Sequence, residues 1–367
     1  MYSKNSIIGF KGFDKDLKCR GFQYEVGKTY EQEGEAVCCE KGFHFCENPL
    51  EVFYYYPPCT SRFCQVEGGG SVDKSEADSK VATSHIHISE EIGLNGLIDA
   101  GLKYILDKVD CYGGKTINTG DYSVSTRTTR YSVAINKGDH STATNTGFYS
   151  AAINKGDKSV ATNCGYQSVA INKGGLSVAT NTGNYSVSTN SGAQSVAANT
   201  GNHSVATNTS DHSVSTNSGA YSVATNSGYK SAATSTSYQS AATNSGYKSA
   251  ATNTGDHSVA TNTGISSSAT NSGDYSSATS SGKQSTALST GALSLATVQG
   301  NESVAIVTGK DSMACGTLGS WIVLTERGDS TGETNPIKEV KAFKVDGVNI
   351  KENIPYKLVN GQAVAVI

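Results

Sequence analysis

Serine recurs at every ninth position from Ser123 to Ser312, twenty-two times without a gap. Gly120 to Thr317 therefore reads as twenty-two copies of Gly-x-x-Ser-Val-Ala-Thr-Asn-Thr, of which Gly201–Thr209 is a complete one. The sixth position is Ala, or Ser at 125, 188 and 215; the seventh is mostly Thr, with Ile at 135, 153, 171 and 306. Four alternating residues make a short strand, with the fourth and sixth on one face and the fifth and seventh on the other. The Asn-Thr-Gly that follows reads as a turn, because Asn and Gly both tolerate left-handed backbone. Nine residues cannot enclose a core, so the copies must stack. The expected fold is mainly β: a parallel β-solenoid of two-strand, 18-residue coils, about eleven in number. With strands ~4.8 Å apart the rod is roughly 50 Å long. The Val/Thr face is expected inside, because the Ile copies lie on it and apolar atoms gain most from burial. That leaves a flat Ser/Ala face outside, suited to self-association through close sheet-on-sheet packing. The alternative is a very thin Ser/Ala core with Val and Thr outside.

Composition alone would mislead here. Hydrophobic residues make up 36 % and Gly numbers 40, but Pro numbers only 5 and charged residues 17 %. Disordered chains are richer in charge and Pro. The net charge is −3, and the repeats hold ten Lys or Arg against eight Asp or Glu. No nucleic-acid partner is expected from this balance. No apolar run is long enough for a membrane span, and the first residues lack the apolar stretch of a signal peptide. Residence in a host cytoplasm or on a virion is expected, with the nine Cys as thiols.

The repeats are flanked by two different segments. Residues 1–119 mix aromatic and aliphatic residues, as in Gly21-Phe-Gln-Tyr and Phe53-Tyr-Tyr-Tyr. They read as an α+β domain with a helix over 91–109, adjoining the first coil. Residues 318–367 alternate with period two around Asp346-Gly and Asn360-Gly, which predicts hairpins forming a β cap over the open strand edge.

Two resemblances follow. Lys11–Tyr30 and Gly42-Phe-His-Phe-Cys-Glu-Asn-Pro-Leu50 resemble a family of phage, prophage and Firmicutes proteins. These look like an N-terminal domain of unknown function, a run of nonapeptides and a closing module like Gly316-Thr-Leu-Gly-Ser-Trp. Ser-Val-Ala-Ile, as at Ser132, is similar to the head repeats of trimeric autotransporter adhesins, whose β-rolls turn the Val and Ile positions inward.

Candidate chemistry is sparse. Cys38, Cys39, His44, Cys46, Cys59 and Cys64 lie close together, but not in paired Cys-x-x-Cys spacing, so packing is expected rather than zinc. No metal and no cofactor is assigned. Gly42-Phe-His-Phe is similar to the core of ADP-ribosyltransferase folds, which implies Lys11 or Arg20 against a dinucleotide beside His44; no Glu stands in a matching motif, Glu67 and Glu90 being the acids on offer, and the plainer reading makes His44 a hydrogen-bonded structural residue. Third repeat positions carry Tyr122, Tyr149, His203, His212 and Tyr221 on the rim, as a stripe for a protein or polymer or as shields for the turns. Threonine rows at sheet spacing also resemble ice-binding solenoids. The expected function is a non-enzymatic, self-associating structural or interaction scaffold of phage type. The alternatives are a nucleotide-binding or degenerate ADP-ribosyltransferase-like N-terminal domain acting against host defence, and ice binding.

Overall fold

The computed structural model describes residues 6–58, 60–75, 78–112, 115–329 and 335–366, with no side chains described for 106–112. It is mainly β, with a parallel β-solenoid of about twelve turns.

Strands of four residues begin every nine residues from Val124 to Met313 and fall alternately into two sheets. One sheet starts with Lys115–Asn118, which pairs in parallel and in register with Val133–Asn136. The last parallel rung of the other is Trp321–Arg327, paired with Val304–Val307. The ladder thus runs past Gly120 and Thr317 at both ends. Each rung repeats its predecessor 18 residues earlier, so like residues stack on like.

The expected facing is reversed. Ser, Ala and Asn, at positions four, six and eight, point inward: Ser204, Ala206 and Asn208 are each 0 % exposed. Ala residues of both sheets, such as Ala134 and Ala143, meet at the centre in one cluster. The Val/Thr face points outward and the Ser/Ala face is not an available interface. The reason is polar satisfaction rather than apolar area. From Ser141 onward the Ser hydroxyl accepts from the backbone N–H of the Ser one coil earlier, as Ser150 Oγ does from Ser132 N at 3.1 Å. It also lies 3.0 Å from Phe148 O and 3.2 Å from Thr129 O as donor. Each Asn amide bridges turns: Asn163 Nδ2 donates to Ser150 O (3.0 Å) and Val169 O (3.2 Å), and its Oδ1 accepts from Gly165 N (2.8 Å). Small side chains let the sheets approach closely, and most of the buried polar groups are bonded, the exceptions including Asn154 Oδ1, Asn172 Oδ1 and the hydroxyls of Ser235, Ser280 and Ser289.

The turn is where expected, but its glycine has another role. The left-handed residue is the third of each copy, with φ from +50° to +57° in all twenty-two. The first-position Gly is needed for close stacking: a Cβ at Gly201 would lie 1.9 Å from Gly183 O, one coil below.

The N-terminal domain consists of β1 (Ile7–Phe13), β2 (Lys18–Cys19), β3 (Phe22–Gln23), β4 (Thr29–Glu31), β5 (Phe43–Cys46), the 3₁₀ helix Pro49–Tyr54, β6 (Arg62–Lys74), β7 (Lys80–Glu91) and α1 (Gly93–Tyr112). The sheet order is β4-β7-β5-β1-β6, and β7 also pairs with β6, so the antiparallel sheet curls back on itself. Phe13, Phe45, Val66, Ile86 and Ile88 fill it.

Leu50, Phe53, Leu97, Ile98 and Ile105, from the 3₁₀ helix and α1, pack on Val133, Ile135, Ile153, Ile171, Val187 and Val205. The N-terminal domain is therefore docked on the outer face of one solenoid sheet, over its first rungs. This explains three of the Ile copies: they are buried under a second domain, not inside the coil. At the far end, Tyr356–Val359 and Gln362–Ala365 form a hairpin antiparallel to Met313–Gly316, and Ile337–Lys344 covers Trp321–Arg327. This is the expected β cap.

Candidate functional site

The docked domain carries one large cleft of about 1000 Å³. Lys11, Arg20 and His44 all line it. Lys11 stands on β1, near the middle of the curled sheet, and is 4 % exposed. Its Nζ donates to His44 O at 2.7 Å and lies 5.5, 5.8 and 6.0 Å from the ring centres of Phe13, Tyr24 and Tyr56. Burial holds the Lys11 ammonium below its ordinary range. Arg20 sits in the β2–β3 hairpin, whose turn residues Arg20 and Gly21 both have positive φ, +50° and +80°. It is exposed at the lip. His44 Nε2 accepts from Cys39 N at 2.9 Å, and burial followed by the nearby Lys11 charge lowers its pKa.

The rest of the cleft was not singled out from the sequence. Tyr56 hydrogen-bonds with Cys19 Sγ at 2.9 Å and covers Gly12, where a Cβ would stand 2.3 Å from its ring. Phe22 (48 % exposed) and Tyr55 (44 %) present open ring surface. Tyr55 OH bonds to Asp78 and, at 3.1 Å, to Lys80 Nζ; burial pushes the phenol up to about 12. Lys15, Lys18 and Lys80 also line the cleft, against the acids Asp14 and Glu40. Asp14 is occupied locally, accepting from Asp16 N (2.9 Å) and Lys18 N (2.7 Å). The signals in the sequence were Phe53-Tyr-Tyr-Tyr56 and the basic spacing from Lys11 to Arg20.

The suggested acids are elsewhere. Glu67 faces His87 across β6 and β7, Glu90 is exposed, and neither lines the cleft. Among the described residues no group of three or more His, Cys, Asp or Glu could hold a metal. Cys46 and Cys64 are buried free thiols, the latter raised by burial to about 12, as packing residues are. Cys59 and Cys111 lie outside the described side chains.

The rim residues divide between two edges. Tyr149, His203 and Tyr221 precede strands of the sheet under the N-terminal domain, whereas Tyr122 and His212 precede strands of the opposite sheet. Tyr185, His203 and Tyr221 stack at 4.8 and 4.9 Å, with planes within 5° and 6°. Tyr54 of the N-terminal domain packs 4.4 Å from Tyr185. These rings bury one another over the turns. Tyr122 is 75 % exposed and stacks at 4.8 Å on His140. Among the described residues no helix is long and apolar enough to cross a membrane.

Residues 7–100 match a family described as Domain of unknown function (DUF7666). The match covers the strands of the N-terminal domain and the first eight residues of α1, and stops short of the solenoid. No curated protein and no solved structure matches the chain.

Proposed function

We propose that the protein is a non-enzymatic scaffold. In this reading the solenoid holds the N-terminal domain in a fixed position and pairs with a second copy through the sheet face opposite that domain. The observation that carries the reading is the character of that face. From Thr142 to Ile306 its outward residues are Thr, Val, Ala, Ser, Leu and Ile, with no charge. Ten rungs at ~4.8 Å and two outward residues across give roughly 500 Å² per copy. That is about what the smallest specific interfaces need. The likeness to phage and prophage proteins supports a role in a host cell or on a virion. Light scattering on the 38.1 kDa chain tests the pairing. A dimer that reverts to monomer with Val178→Lys and Val214→Lys is expected, and a monomer at all concentrations refutes it.

The outward threonines do not favour ice over a second copy. Val, Ala, Ser and Leu interrupt both columns, so no paired threonine array is continuous. A second reading, that the N-terminal domain binds a nucleotide, is favoured by the basic and aromatic lining of its cleft. Calorimetry of the full chain with nucleotides tests it.

A further inference from the structure

Lys11 is buried on the central strand of the N-terminal sheet, and among the described residues no carboxylate lies within ion-pair distance of it. An ammonium in such a place is expensive unless something compensates its charge. One carbonyl and three aromatic rings do so in part. The remaining open side is the cleft, and the cleft is itself basic: Lys11, Lys15, Lys18 and Arg20 against two acids, one of which is occupied within its own turn, while Lys80 is paired with Asp78. An anion from outside the chain, lying in the cleft, would supply the counter-charge that Lys11 lacks.

The cleft also offers flat apolar surface. Phe22 and Tyr55 keep nearly half of their area open, although aromatic rings of this size are usually better buried. Such rings stack on planar heterocycles, with about 1–3 kcal/mol per stacked base in other proteins. A volume of about 1000 Å³ lies at the upper end of small-ligand sites, so a molecule with both a ring system and an anionic group fits.

Resting on the second reading above, we propose that the cleft binds a nucleoside monophosphate, with the phosphate supplying the counter-charge of Lys11 beside Arg20 and the base lying on Phe22 and Tyr55. Charge-assisted bonds from ammonium and guanidinium make the phosphate the larger part of recognition. Arg20 is exposed at the lip and acts on the same group from the solvent side.

The test is calorimetry of the full chain with AMP, GMP, CMP and UMP, with the corresponding nucleosides, and with the Lys11→Met and Arg20→Asn variants. Methionine keeps the length and apolar stem of Lys11, and asparagine accepts the left-handed backbone at position 20. At least one monophosphate is expected to bind more tightly than about 1 mM. Its nucleoside and Lys11→Met should each be weaker by about tenfold or more, and Arg20→Asn by several-fold. If none of the four monophosphates binds, the nucleotide reading fails and this inference with it. If one binds but Lys11→Met binds it equally well, the nucleotide reading stands and the role of Lys11 is overturned. Should Lys11→Met not fold, the native chain decides: a nucleoside that binds within about tenfold of its monophosphate refutes the phosphate site.

Discussion

Asn163 is a direct test of the polar interior. It is 0 % exposed and lies between Asn145 and Asn181 in its ladder. Its amide donates to two backbone carbonyls and its oxygen accepts one N–H, so the orientation of the amide is fixed by its partners. Asn163→Ala removes all three bonds. Gly165 N–H loses its acceptor inside the rod, at about 1–3 kcal/mol. Ser150 O keeps a second donor, Val169 N at 2.9 Å, so the two carbonyls together add about 1–2 kcal/mol. About 3 kcal/mol is expected in all. Asn163→Ser should cost about as much as Ala, because the hydroxyls of Ser235, Ser280 and Ser289 at this same position are buried without a hydrogen bond. Asn163→Asp should be the worst at neutral pH, since it sets a carboxylate oxygen against two carbonyls. The introduced carboxyl would then have a folded-state pKa above its unfolded value of ~3.9, so this variant alone gains stability as pH falls through that raised value. Urea unfolding followed by circular dichroism, with amide exchange at Gly165, reads these differences. An Ala variant within about 0.5 kcal/mol of the parent, or an Asp variant no worse than Ser, would refute the ladder as the source of stability.

Gly201→Ala places a methyl 1.9 Å from Gly183 O and should cost about 1–3 kcal/mol by overpacking. Ile153→Thr restores the consensus residue but buries a hydroxyl under the N-terminal domain. It should weaken docking by about 1–2 kcal/mol, seen as faster amide exchange in α1 with solenoid exchange unchanged. Asp346 accepts the backbone N–H groups of Val348, Ile350 and Asn349, which hold its carboxyl at about 2. Its stabilisation of the cap turn is present above the ordinary value of 3.8 and is lost as pH falls towards 2. Asp346→Asn should therefore lower the melting temperature at pH 7 but not at pH 2.

The period, the strands, the closing hairpins and a helix near Gly93 were all legible, because each depends on residues close in sequence. The facing of the strands was not. Val and Ile drew the eye inward by their apolar area, but Ile135, Ile153 and Ile171 are buried by a domain that precedes them in the chain. Ser and Asn face inward because their partners lie in neighbouring copies and coils, a relation invisible within one repeat. The autotransporter likeness misled in the same direction. One signal could have been read: no third position holds a β-branched residue, as a left-handed backbone requires. In the cleft, Lys11, Arg20 and His44 were found by motif. Tyr56, Cys19 and Lys80 were not, because only closure of the curled sheet brings their elements together.

The in-register stacking makes the length of the rod a digital quantity. Adding or removing 18 residues changes it by one coil, ~4.8 Å, and leaves every later side chain on its own face. A change of nine does something else. It hands each following strand to the opposite sheet, so the closing hairpin would emerge half a turn around from the N-terminal domain. Gene duplication that respects a single nonapeptide would therefore alter not the reach of the molecule so much as the direction in which its two ends look.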